Sequence, residues 1–219
     1  VLSLRSASTC PGYNISNITR PVATEEIRPA AVAGRFYPES EEELWPLIDR
    51  LIGDLPEKKQ SCPAVMVPHA GLVFSGQLAA DVLKEVQIPA TVIILSPKHT
   101  RLGVPWAVAP YQSWSLPGAT IESNRELAEK LAAGIDGLQL DAAAHQQEHG
   151  IEVELPLLWR LAPESQVVGI AIGEASLDQC KQLGRQLAEV LRGLKTQPLL
   201  VISSDMNHFA TDEVNRQLD

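Results

Sequence analysis

Three short apolar runs, each followed within a few residues by a histidine, constrain this chain more than any other feature. Ala64–Val67 is stopped by Pro68 and followed by His69, Ile93–Ser96 leads to His99, and Leu199–Ser204 leads to His208. Brief apolar runs bounded by turn signals read as buried strands. Helical patterns separate them, so the histidines fall at the carboxyl ends of strands, where α/β sheets place their ligands. His69 and His99 are 30 residues apart, about one strand–helix–strand unit, which can set two such ends side by side. The expected architecture is a three-layer α/β/α sandwich around a central, mostly parallel or mixed sheet. His69, His99 and His208 are expected to face one pocket.

The helices are legible from their ends. Ser40 with Glu43 predicts a capping box for a helix over 41–52, closed by Gly53, with Leu44, Leu47, Ile48 and Leu51 on one face. Ser123 with Glu126 predicts a helix to about Ala133, and Ser176 with Gln179 predicts a third. In that third helix Leu177, Cys180, Leu183, Leu187, Val190 and Leu194 form an apolar stripe, so Cys180 reads as a packing residue. Gln166–Ile172 reads as a buried strand and Trp106–Ala109 as a short one, while residues 113–123 read as a loop.

Residues 1–26 stand apart as an unstructured leader or extension, because Val1–Thr24 lacks any acidic residue and is rich in Ser and Thr. The sequons at Asn14 and Asn17 in it read as chance. A single domain is expected over 27–219. With 18 basic against 27 acidic residues the net charge is −9 and no basic cluster stands out, which argues against nucleic acid or an anionic membrane as partner. No apolar run approaches the roughly 20 residues of a spanning helix. Cys10, Cys62 and Cys180 are odd in number and widely spaced, which suits a reducing, cytoplasmic setting better than a disulfide framework.

Three constellations carry chemistry. His69 with His99 can ligate a metal, or each can be a loop histidine bonded to backbone. Asp205 and His208 lie three apart past a strand, so the carboxylate can orient the imidazole as a base, or Ser203, Ser204 and Asp205 can cap the next helix. His145-Gln-Gln-Glu148-His149 satisfies the H-x-x-E-H pattern of some zinc peptidases. Gly150 breaks helix propensity at once and Pro156 follows, so local hydrogen bonding or capping fits that segment better.

Taken together, RPAAVAGRFYP, VPHAGLVFSG, ILSPKHT, EHGIEVELPLLWRL and VISSDMNHF, in that order from Arg28 to Phe209, resemble the MEMO family. That family includes the bacterial AmmeMemoRadiSam system protein B. The resemblance implies a fold like that of class III extradiol dioxygenases, which cleave catechol rings at a non-haem Fe(II). It implies that His69 and His99 are metal ligands, that His208 is the catalytic base with Asp205 beside it, and that Phe36, Tyr37, Phe74 and His149 line the pocket. The implied cofactor is a divalent metal: Fe(II), copper or zinc. The family's third ligand is a cysteine beyond the SSDxxH segment, and none of the three cysteines here matches it, so weak metal occupancy, an exposed apolar flank and self-association are expected. The implied function is a metal-dependent oxidoreductase acting on a small molecule. The alternatives are a non-catalytic adaptor holding a peptide in the same cleft and, more remotely, a zinc metallohydrolase using the H-x-x-E-H segment.

Overall fold

The computed structural model describes residues 26–218. Nearly all of the segment read as a leader, with Cys10, Asn14 and Asn17, lies outside the described residues. The chain runs β1 (Ile27–Arg28), α1 (Glu41–Ile52), β2 (Ala64–Val67), α2 (Leu72–Lys84), β3 (Thr91–Pro97) and β4 (Trp106–Val108). It continues through β5 (Ser113–Leu116), β6 (Ala119–Glu122), α3 (Arg125–Gly134), β7 (Gln139–Leu140), α4 (Leu155–Leu161) and β8 (Gln166–Ile172). The last elements are α5 (Leu177–Arg192), β9 (Leu199–Ser203) and α6 (Asp212–Leu218).

A six-stranded sheet of order β2-β9-β3-β8-β4-β7 forms the centre. Its pairs are parallel except β4 with β8, so the sheet is mixed. Strand alternation sends successive side chains to opposite faces. Val92 and Ile94 enter a core shared with α1, α2 and α4, whereas Ile93 enters a second core shared with α3 and α5. Helices thus cover both faces, giving the expected α/β/α sandwich. A small sheet, β1-β5-β6, sits on the first side and buries Trp114 and Ile121 there.

Some local expectations change. Residues 113–123 are not a loop: β5 and β6 form an antiparallel hairpin turning at Pro117–Gly118, with Gly118 at φ 69°. Trp114, Leu116 and Ile121 are buried, and burial of these side chains outweighs the loop-like Ser and Pro content. Ser40 precedes α1 without a side-chain cap bond. The α3 cap is Asn124, whose side chain accepts from the Leu127 N–H, rather than Ser123. At Ser176 the capping box is complete. Cys180 is exposed, because the α5 stripe is buried only at Leu183 and Leu187.

For function, the decisive feature is that β2, β9 and β3 are adjacent and mutually parallel. Their carboxyl ends therefore lie on one edge of the sheet, and the loops after them meet there.

Candidate metal centre

His69 leaves β2 after Pro68, and His99 follows Pro97 at the end of β3. A third imidazole, His149, arrives from the turn between two 3₁₀ segments, Ala143–His145 and Glu152–Glu154. One ligand atom from each of the three lies within 4.8 Å of the others. Ring centroids are 5.1 Å apart for His69 and His99, 5.5 Å for His69 and His149, and 4.1 Å for His99 and His149. His69 is buried, His149 partly so, and His99 faces solvent.

The remote nitrogens are anchored. His69 Nδ1 is 2.9 Å from Ser203 Oγ, and His99 Nδ1 is 2.6 Å from Glu148 Oε1. This leaves Nε2 of both rings as the coordinating atom, the arrangement that metal-bound histidines adopt when the other ring nitrogen is held by a second group. Glu148 also accepts the backbone N–H of His99 at 2.6 Å, of His149 at 2.9 Å and of Gly150 at 3.2 Å. Burial pushes its carboxyl up, but the hydrogen bonds from His99 outweigh it and hold the group down at about 2. Burial lowers His69, and burial followed by the neighbouring His99 lowers His149 to about 4. Neutral imidazole is the form that binds a metal, so this donor set suits a divalent ion.

The His149 turn rests on a buried ionic platform. Arg28 pairs with Glu152 and donates to the carbonyls of His145 at 2.7 Å and Glu148 at 2.7 Å. Glu152 in turn accepts from the Tyr37 hydroxyl at 2.5 Å and from the N–H groups of Ala31 and Val32 at 3.0 Å. Phe36 then packs on the His149 ring at 4.4 Å.

The other residues expected at the site divide clearly. Asp205 reaches it: Oδ1 accepts the N–H groups of His69 at 2.7 Å and Ala70 at 3.1 Å, so it fastens the end of β9 to the first histidine loop. His208 does not join the trio. The chain turns outward at Phe209 (φ 65°), and the exposed His208 ring packs on Phe209 with Nδ1 2.9 Å from its own Met206 carbonyl. Phe74 is 87% exposed on α2, and Tyr37 is buried on Glu152. Burial and then the Glu152 charge raise the Tyr37 hydroxyl well above its usual range. The H-x-x-E-H segment forms no helix that pairs its histidines. His145 is buried against Trp114, and burial followed by the Arg28 charge lowers it to about 4. Among the described residues the third candidate donor is His149, which the sequence reading gave only a place in the pocket. Its place after Glu148, the anchor of the His99 ring, was the available signal, but nothing in the spacing separates that role from lining a pocket.

Comparison with known proteins gives these features a family. A family model described as "Memo-like protein" matches residues 28–219. Among similar curated proteins, a MEMO1 family protein of Aquifex aeolicus is 40% identical over 194 residues, covering 88% of this chain and 72% of the relative. One of Caldivirga maquilingensis is 34% identical with the same coverage, and one of Thermococcus kodakarensis is 38% identical over 84% of this chain and 66% of its own length. The matched span holds all three histidines, their anchors and the Arg28 platform, and the chain belongs to the Memo-like protein family.

Proposed function

We propose that this chain is a metal-dependent oxidoreductase of the extradiol-dioxygenase type, in which His69, His99 and His149 hold one divalent ion. The observation that carries this reading is the convergence of three imidazoles within 4.8 Å, two of them with the far nitrogen anchored. Three neutral nitrogens suit Fe(II), copper or zinc better than magnesium or calcium, which prefer oxygen. When bound, the ion supplies Lewis-acid polarisation of a substrate hydroxyl and, if it is iron or copper, a redox couple for dioxygen. His208 is the base assigned to the hydroxyl proton, and Asp205 supports this by holding the start of that segment against His69 and Ala70. A small aromatic substrate lies against Phe36, whose ring packs on His149 on one side and, with Tyr37, Leu72 and Val73, lines a cleft of about 390 Å³ that none of the three histidines reaches. The unpaired Cys62 and Cys180 support a reducing cytoplasmic setting. Among the described residues, no helix is long and apolar enough to cross a membrane.

Metal content of the purified protein, with His69→Ala, His99→Ala and His149→Ala beside it, tests the site. One equivalent in the parent chain and loss in each variant is the expected result, and equal content in all four would remove the assignment. Oxygen uptake with a panel of catechols tests the reaction. The second reading, a peptide-holding adaptor, is favoured by the exposure of Val73 (84%) and Phe74 (87%) beside the same cleft. Catechol-dependent oxygen uptake abolished by His69→Ala would count heavily against it.

A further inference from the structure

Beneath His69 lies a buried carboxyl that the site described above does not use. Glu154 is 1% exposed, and within the described residues its hydrogen-bond partner is Ser203 Oγ, at 3.1 Å. Ser203 is itself fully buried and meets two further groups, the Gly150 carbonyl at 2.5 Å and His69 Nδ1 at 2.9 Å. A serine hydroxyl has one proton to give and two lone pairs to accept with. The Gly150 carbonyl has no proton, and two oxygens at 2.5 Å are held together only by a proton between them. The Ser203 proton is therefore committed to Gly150. Both remaining neighbours must then donate to Oγ: His69 through an Nδ1–H, and Glu154 through a carboxylic O–H.

We propose that Ser203 and Glu154 form an uncharged positioning relay that fixes His69 as the Nδ1–H tautomer and so presents its Nε2 lone pair to the ion. The two sides of the trio are then held by different chemistry. His99 leans on an ionised carboxylate, Glu148, while His69 leans on a hydroxyl backed by a neutral acid. Burial, which pushes Glu154 up to about 8, with a further rise from the Asp205 charge against the opposing Ser203 contact, agrees with a protonated side chain. Neither Ser203 nor Glu154 touches the coordinating face, so both are positioning residues. The relay rests on the metal reading only for its purpose, since the proton positions belong to the metal-free chain.

The test is made on the whole chain after chelation. Long-range ¹H–¹⁵N correlation of the imidazoles, with the His69 signals assigned by their loss in His69→Gln, reports the tautomer. Infrared difference spectra between the parent and Glu154→Gln report a protonated carboxyl. The expected results are an Nδ1–H tautomer at His69 near neutral pH, its retention in Glu154→Gln, whose amide still donates to Ser203, and its loss in Ser203→Ala. A carboxylic C=O band should vanish in Glu154→Gln. Zinc titration should then show binding about 10- to 100-fold weaker in Ser203→Ala and close to the parent in Glu154→Gln. An Nε2–H tautomer in the parent chain, or a carboxylate rather than a carboxylic band for Glu154, overturns the relay, and neither measurement needs a variant of Ser203 that folds. A parent chain with the expected tautomer and band that binds no zinc retains the relay and defeats the metal site instead.

Discussion

Glu152 and Glu154 lie two residues apart, both are almost fully buried, and the fold treats them in opposite ways. Glu152 is surrounded by donors: the Arg28 guanidinium, the Tyr37 hydroxyl and two backbone N–H groups. Glu154 has one hydroxyl beside it among the described residues. Taking a charge out of water is costly, and only several hydrogen bonds or a counter-charge offset it. Glu152 meets that condition through its donors, while Glu154 avoids the penalty by keeping its proton. The lesson is that a buried acid is read from what donates to it. The one rich in donors forms part of the platform under His149, and the neutral one backs the anchor of His69.

Removing a donor from the charged side should produce the largest effect. Arg28→Met leaves Glu152 buried and uncompensated and also releases the His145 and Glu148 carbonyls, so a loss of about 3–5 kcal/mol is expected in urea unfolding. Adding Glu152→Gln to that variant should recover part of the loss. Full additivity of the two substitutions would show that the pair does not act as a unit.

Glu148 sharpens the contrast on the histidine side. Glu148→Ala removes the acceptor of His99 Nδ1 and of three backbone N–H groups. Affinity for zinc should fall about 10- to 100-fold, read by competition with a chromophoric chelator, and unchanged affinity would detach Glu148 from the site. A comparable or smaller cost in stability is expected at Gly150, where an added Cβ would collide with the Ser96 side chain and sit 3.5 Å from His69 Nδ1. Gly150→Ser should cost about 1–3 kcal/mol by overpacking, and Ser96→Gly in the same chain should relieve it.

The smallest effect is a slope. Folded Glu154 holds its proton to about pH 8, whereas an unfolded chain releases it near 4.5. The folded state binds more protons in that window, so the Glu154 contribution to stability is full below 4.5 and is lost as pH rises through 8. Glu148 has the opposite sign: its carboxylate, held at about 2, contributes fully above 4.5 and is lost as pH falls toward 2. Between about pH 5.5 and about pH 7.5 the urea midpoint of the chelated protein should move further in the stabilising direction in Glu154→Gln than in the parent, because the falling Glu154 contribution is gone while the lowered His145 and His149 still gain stability as pH rises. An equal movement in both would assign the slope to other groups.

Much of this protein is determined by its sequence alone. The strands before His69 and His99 are legible because each is a short apolar run closed by a proline, and the long α5 helix because its capping box and stripe agree. β2 nevertheless lies at the sheet edge and exposes Ala64 and Met66 instead of being buried. The spacing between His69 and His99 suggests neighbouring strand ends, but β9 lies between β2 and β3, so the two histidines meet through their loops across an intervening strand. The β5–β6 hairpin is decided by contacts distant in sequence, and Cys180 and His208 stand exposed in the folded chain, which no local pattern reports. The same holds for the site's third imidazole. The sequence sets His208 with His69 and His99 and gives His149 only a place in the pocket; in the structure Arg28, 117 residues from the carbonyl of His145 that it grips, pins the His149 loop beside them. The surroundings of Glu148, Glu152 and Glu154 separate for the same reason. Their side chains are chemically identical, and only the folded chain decides how many donors each one meets.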